Sequence, residues 1–110
     1  MPYTFIWKIK LKDESVRDAF IQNWHAATVV LQEYPGAAGT TVYKSIDEEN
    51  TYVIIALWES KAARDFMEAD TKTGKSDRAK RWREFSKNDA FGEVTIVGRG
   101  EEIDKVLPVS

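Results

Sequence analysis

The residues best equipped for chemistry in this chain are its single histidine, His25, and two tyrosines, Tyr43 and Tyr52. Imidazole titrates nearest to neutral pH among unperturbed side chains, so His25 is the first candidate for a general base. A tyrosine hydroxyl both donates and accepts, which lets Tyr43 or Tyr52 hydrogen-bond a ligand oxygen in either protonation state. With Trp24, Trp58, Phe66 and Trp82 as flat apolar walls, these groups would suit proton transfer on an aromatic ligand held away from water. Each also has an ordinary structural reading. A helix turns His25 about 100° from its neighbour Trp24, towards solvent or the edge of the core, and tyrosines and helically spaced aromatics are common packing residues.

Other chemistries lack their parts. The chain has no cysteine, which removes disulfides, thiol nucleophiles, iron–sulfur ligation and Cys-based zinc sites and suits a reducing compartment. It carries no glycine-rich phosphate loop, no His and carboxylate cluster at metal spacing and no Gly-x-Ser-x-Gly elbow, so no metal site is expected. Asp47-Glu48-Glu49 is acidic but lacks the spaced oxygen ligands and glycine of a calcium loop, and reads as a solvated hairpin tip. Arg83 and Arg99 could meet an anionic oxygen, although the mixed charges from Lys75 to Lys87 look like a solvated helix face. With 16 basic and 18 acidic residues the formal charge is −2, which offers no general attraction to nucleic acid or anionic lipid. The longest nearly apolar run, Tyr52 to Trp58, falls far short of the roughly 20 residues of a membrane-spanning helix, and the first residues show no signal-peptide pattern. A cytoplasmic protein is expected.

The elements that must position these side chains follow from periodicity. Tyr3, Phe5, Trp7, Ile9 and Leu11 alternate with Thr4, Ile6 and three lysines, the pattern of a strand with one buried face. From Asp13 the spacing changes to three and four: Val16, Phe20, Trp24, Ala27 and Leu31 mark a helix of about five turns, and Ser15 with Asp18 resembles a capping box. Tyr34-Pro35-Gly36 ends it. Thr40 to Ile46 and Thr51 to Glu59 read as an antiparallel hairpin around a four-residue loop, Asp47 to Asn50. Ser60 caps a second helix bearing Ala62, Ala63, Phe66 and Met67. A loop around Thr71 to Gly74 leads to another helical piece from Ser76, with Ala79, Trp82 and Phe85 on its apolar side. Phe91 to Arg99 is a last strand.

The order βαββαβ defines an α+β, ferredoxin-like fold, a four-stranded antiparallel sheet with its helices on one face. Length and hydrophobic content fit one domain, residues 1–100, followed by a C-terminal tail, 101–110, that either packs on a partner subunit or frays. Because Tyr52 to Trp58 is apolar on both faces and the helices cover only one, a second sheet from another copy is the economical cover for the other. A homodimer joined through its sheet faces, a dimeric α+β barrel, is expected.

Tyr34-Pro35-Gly36-Ala37-Ala38-Gly39-Thr40, followed by Tyr52-Val53-Ile54-Ile55-Ala56-Leu57-Trp58-Glu59-Ser60, resembles the antibiotic biosynthesis monooxygenase domains. These carry a Pro-Gly turn after helix one and a hairpin whose second strand ends in Trp-Glu-Ser and runs straight into a helix. The resemblance extends roughly from Tyr3 to Arg99. It implies homodimers with a cavity between sheet and helices, and in some members oxidation of phenolic, quinol or polyketide-like aromatics with no cofactor. On that reading His25 and Tyr43 would be catalytic, and Trp24, Tyr52, Trp58, Phe66 and Trp82 would hold a small aromatic or hydrophobic ligand. The heme-degrading branch relies on an Asn in the first strand, a Trp in the second helix and a His beyond it. Here no Asn precedes Asn23, Met67 takes the helix position and the only histidine is His25, so heme degradation is disfavoured. Two alternatives stay open on the same scaffold: a non-catalytic module binding a hydrophobic metabolite, and an isomerase or decyclising enzyme needing proton transfer alone.

Overall fold

The structure is a computed structural model that describes residues 1–85 and 87–109. Strand β1 (Tyr3–Leu11) is followed by a single 3-10 turn (Glu14–Val16) and helix α1 (Arg17–Leu31). Strands β2 (Ala37–Lys44) and β3 (Thr51–Trp58) form the hairpin. Helices α2 (Lys61–Thr73) and α3 (Asp77–Arg83), a 3-10 turn (Asn88–Ala90) and strand β4 (Gly92–Glu101) complete the order. The sheet runs β2-β3-β1-β4 with every neighbouring pair antiparallel. This is the ferredoxin-like arrangement expected from the pattern of periods.

Strand alternation decides what each side chain meets. On β1, Tyr3, Phe5, Trp7, Ile9 and Leu11 face the helices, and their partners Trp58, Ala56, Ile54 and Tyr52 on β3 share that face. Two apolar clusters fill this layer. Ile9, Leu11, Phe20, Tyr52 and Ile54 form one, with Phe91 packed against it, and Tyr3, Tyr34, Trp58 and Met67 form the other. Phe20 is fully enclosed, with ring centroids 6.0 Å from Tyr52 and 6.1 Å from Phe91. Burying one such side chain contributes roughly 1.5–3 kcal/mol.

The local signals act largely as their chemistry demands. The Ser60 hydroxyl accepts from Ala63 N–H and that of Ser76 from Ala79 N–H, each satisfying an orphan donor of a first helical turn. Ahead of α1 it is Asp13 rather than Ser15 that caps: its carboxylate accepts the Ser15 N–H at 2.8 Å at the start of the 3-10 turn, and α1 follows from Val16 with no side-chain cap of its own. β2 begins three residues before Thr40, because Ala37 N–H and Glu59 N–H bond the turn carbonyls of Tyr34 and Gly36 and draw Ala37 into register opposite Trp58. Helix α2 runs through Thr71 to Thr73, where a loop was expected, and ends at Gly74, whose left-handed conformation lets its N–H bond the Asp70 carbonyl. Gly36 has φ +85 and lies so near Ala63 that a Cβ would approach its methyl to 2.5 Å. The turn can therefore press against α2 only as glycine.

The opposite face of the sheet carries Ile6, Val53, Ile55, Leu57 and Tyr43, and no helix among the described residues covers it. A bulge in the β1–β4 pairing between Ile6 and Trp7 leaves Val97 without a partner across the strand and half exposed. Residues 102–109 follow β4 without regular structure, and Ile103, Val106, Leu107 and Val109 are exposed. Among the described residues no helix is long and apolar enough to cross a membrane.

Candidate functional site

Between the two apolar clusters the helix–sheet layer opens into a cavity of about 550 Å³, within the usual range for small-molecule sites. It opens where the sequence supplies small side chains: Ala27 and Thr28 on α1, Thr40 on β2 and Ala56 on β3 leave space that the neighbouring clusters fill with Phe20, Tyr34 and Met67. Phe5, Trp7 and Trp58 form the aromatic floor, and Trp24 and Trp82 stand as walls from α1 and α3. Trp24, Trp58 and Trp82 are thus brought together around one space.

The other anticipated site residues lie elsewhere. His25 is exposed on α1, because Trp24 takes the inward position and the next residue rotates away; its ring sits 6.5 Å from that of Trp24 and does not line the cavity. Tyr43 pairs with Val53, so it belongs to the uncovered face of the sheet, and it is 51% exposed. Tyr52 faces the helices but is buried against Phe20 in the closed cluster. Phe66 precedes the inward Met67 and is turned outward, edge-on to Tyr34 at 6.3 Å and 52% exposed. Of the two arginines considered, Arg83 lines the cavity, whereas Arg99 is exposed on β4 opposite Phe5.

The cavity's polar side comes from α2. The Arg64 guanidinium lies 3.8 Å above the Phe5 ring, a cation–π placement, and its side chain is only 14% exposed. It pairs with Glu68 one turn on, and Lys72 Nζ approaches the same carboxylate at 3.5 Å. The hydrogen bond from Arg64 holds the Glu68 carboxyl below its ordinary pKa, with burial opposing. Arg83 donates from Nε to Thr71 O at 3.1 Å and from its terminal nitrogen to Lys72 O, closing the C-terminal end of α2. Gly74 makes room for it: at φ +65, a Cβ there would fall 2.4 Å from the guanidinium carbon. Three cations therefore face the cavity against one carboxylate, although the chain as a whole is anionic.

A separate network braces the helices. Tyr34 donates to Asp70 Oδ2 at 2.6 Å, Ser76 donates to the same oxygen at 2.6 Å, and the Arg78 guanidinium lies 4.5 Å over the Tyr34 ring. These hydrogen bonds, that from Ser76 first, depress the Asp70 pKa, while burial raises that of Tyr34. At the far rim, Asn23 donates to Phe85 O at 2.5 Å. The buried Asn88 Oδ1 has no hydrogen-bond partner among the described residues.

Phe5 and Trp7 were readable from strand alternation as helix-facing. Arg64 and Glu68 were not singled out, because an i, i+4 ion pair in a charged helix resembles solvated surface. What would have revealed them is the position of Arg64 one helical turn before Glu68 and three residues before Met67, on the side of α2 that closes over Phe5.

Comparison with known proteins places this geometry. The model of the family described as antibiotic biosynthesis monooxygenase matches residues 2–73. No curated protein matches the chain in sequence. Among solved structures, SnoaB, a cofactor-independent oxygenase from Streptomyces nogalater, superposes with a TM-score of 0.67 at 21% identity, covering 98% of each chain. A Bordetella bronchiseptica protein described as a candidate antibiotic biosynthesis monooxygenase gives 0.68 at 16%, covering 93% of this chain and 97% of its own. One from Nitrosomonas europaea gives 0.64 at 12%, covering 93% and 99%. At such identities the structural likeness speaks for the fold, and the family match carries the assignment: the chain belongs to the antibiotic biosynthesis monooxygenase family.

Proposed function

We propose that this protein is a cofactor-independent monooxygenase acting on a phenolic, quinol or polyketide-like aromatic bound in the cavity above β1 and β3. The observation that carries the reading is the pairing of aromatic surfaces, Trp7, Trp24, Trp58 and Trp82, with a mostly buried cation, Arg64, in one space of about 550 Å³. SnoaB, of like fold, is described as a cofactor-independent oxygenase.

A substrate that itself donates electrons needs little from the protein. Flat apolar walls hold the ring and exclude water. Cations beside a phenol favour its ionised form, which is the form that gives electrons to oxygen. For an anthrone the balance is simple: the ring CH₂ becomes a carbonyl, one oxygen atom of O₂ is retained and the other leaves as water with the two hydrogens. The substrate supplies all the electrons. Glu68 is a weaker base than a free carboxylate because Arg64 holds it, so its part is to orient Arg64, and the phenolic proton passes to solvent at the mouth. His25 and Tyr43 stand outside this scheme by their positions.

The same reading takes the uncovered sheet face as the contact with a second copy, making the working unit a homodimer. Support comes from its exposed Leu57 and Tyr43 and from the economy of covering an apolar sheet face with its own kind. Oxygen uptake by metal-stripped protein against hydroquinones, dihydroxynaphthalenes and anthrones tests the activity. Saturable uptake above autoxidation is expected. Uptake equal to the blank across the panel would move the reading to ligand binding or to non-oxidative proton transfer.

A further inference from the structure

The cavity wall offered by α2 contains more than an oxidation site requires. The Arg64 guanidinium carbon lies 3.8 Å over the centre of the Phe5 ring, and the side chain lines the cavity. Of its N–H donors, only one terminal nitrogen is engaged among the described residues, by Glu68. That carboxylate is itself about half exposed and shared with the flexible Lys72. A planar guanidinium with idle N–H groups matches a two-oxygen anion better than the single oxygen of a phenolate.

We infer that Arg64, with Lys72 behind it, forms an anion subsite of the cavity that selects aromatic ligands bearing a carboxylate, with Glu68 as the counter-ion the ligand displaces. The inference rests on the cavity being the aromatic site but not on the oxidation itself. The ring of such a ligand lies against Trp7 and Trp58, and its carboxylate takes the Arg64 edge now turned to Glu68. Glu68 then swings to Lys72, already 3.5 Å away. Nothing is oxidised or transferred in this step; one ion pair replaces another.

Calorimetric titration of the full chain with 1-hydroxy-2-naphthoate and with 1-naphthol separates the two contributions. The carboxylate is expected to bind about tenfold tighter than the neutral naphthol, as one charge-assisted pair would give. Arg64→Met should erase that preference, bringing the affinity for the carboxylate level with that for the naphthol. Arg64→Lys, which keeps the charge but not the fork, should retain part of it, and its melting temperature checks the fold. Glu68→Gln should tighten the carboxylate severalfold by removing the competing ion. Equal binding of the two ligands by the wild type, or a preference that survives Arg64→Met, would overturn the subsite. A carboxylate preference in a protein that consumes no oxygen with any quinol would support the subsite while removing the oxygenase. No heat from either ligand would remove both.

Discussion

The two ends of the layer between helices and sheet are built from the same materials with opposite results. Around Phe20, large side chains from β1, α1 and β3 interdigitate, with Ile9 and Phe20 fully enclosed. A few residues along the same elements, Ala27, Thr28, Thr40 and Ala56 replace large neighbours, and the layer opens onto Trp24, Trp58 and Trp82. Helix and strand periodicity brings side chains to a face, but their sizes decide whether that face becomes core or cavity. One end stabilises the fold and the other can hold a ligand.

The contrast can be broken most forcefully at the closed end. Phe20→Ala should cost about 3–5 kcal/mol, read as a lowered denaturation midpoint with unchanged slope, because nothing near Phe20 can collapse into its place. At the cavity end, Trp24→Ala and Trp82→Ala should cost less stability but lower oxygen uptake about tenfold or more, through lost ring contact. A truncation that unfolds the protein as Phe20→Ala does would place that tryptophan with the core.

On the uncovered face, Leu57→Arg should shift sedimentation from dimer towards monomer, since a buried unpaired charge costs several kcal/mol; an unchanged assembly would assign the contact to another surface. A smaller effect is expected in acid. The Asp70 carboxyl has an ordinary pKa of 3.8, depressed in the fold by Ser76 and Tyr34. Its stabilising contribution is therefore present above about pH 4 and lost as pH falls through the depressed value. Asp70→Asn should make the acid limb of the stability curve shallower and leave uptake at neutral pH nearly unchanged. The smallest effect belongs to His25→Ala: exposed and outside the cavity, it should alter uptake less than twofold, and a large loss there would reinstate it as a base.

Much of the fold was legible because its signals are local. The strict alternation from Tyr3 to Leu11 states which face is buried, and Ser60 and Ser76 mark two helix starts by chemistry that acts within one turn. The start of β2 at Ala37 was not legible: Ala37-Ala38-Gly39 has little strand propensity, and its register is set by the Gly36 turn pressing on α2 and by Glu59. For the site, Trp24, Trp58 and Trp82 followed from their periods, but Tyr52 and Phe66 did not meet them. The first is sealed off by Phe20, and the second is displaced by Met67, one position further round the helix. Arg64 was hidden for a physical reason: its burial depends on Phe5, 59 residues earlier in the chain. Nothing in the local charge pattern distinguishes a guanidinium stacked on an aromatic ring from one in water.

The claim that chemistry sits in the cavity is tested most directly by filling it. Ala56 lies on the floor, on a rigid central strand, and Ala56→Trp would place an indole where the ligand ring should lie. With the quinol or anthrone that the wild type consumes fastest, oxygen uptake by this variant is expected to fall to the autoxidation blank while its melting temperature and sedimentation match those of the wild type. Undiminished uptake by a folded Ala56→Trp protein would contradict the account and move the reaction to another surface of the molecule.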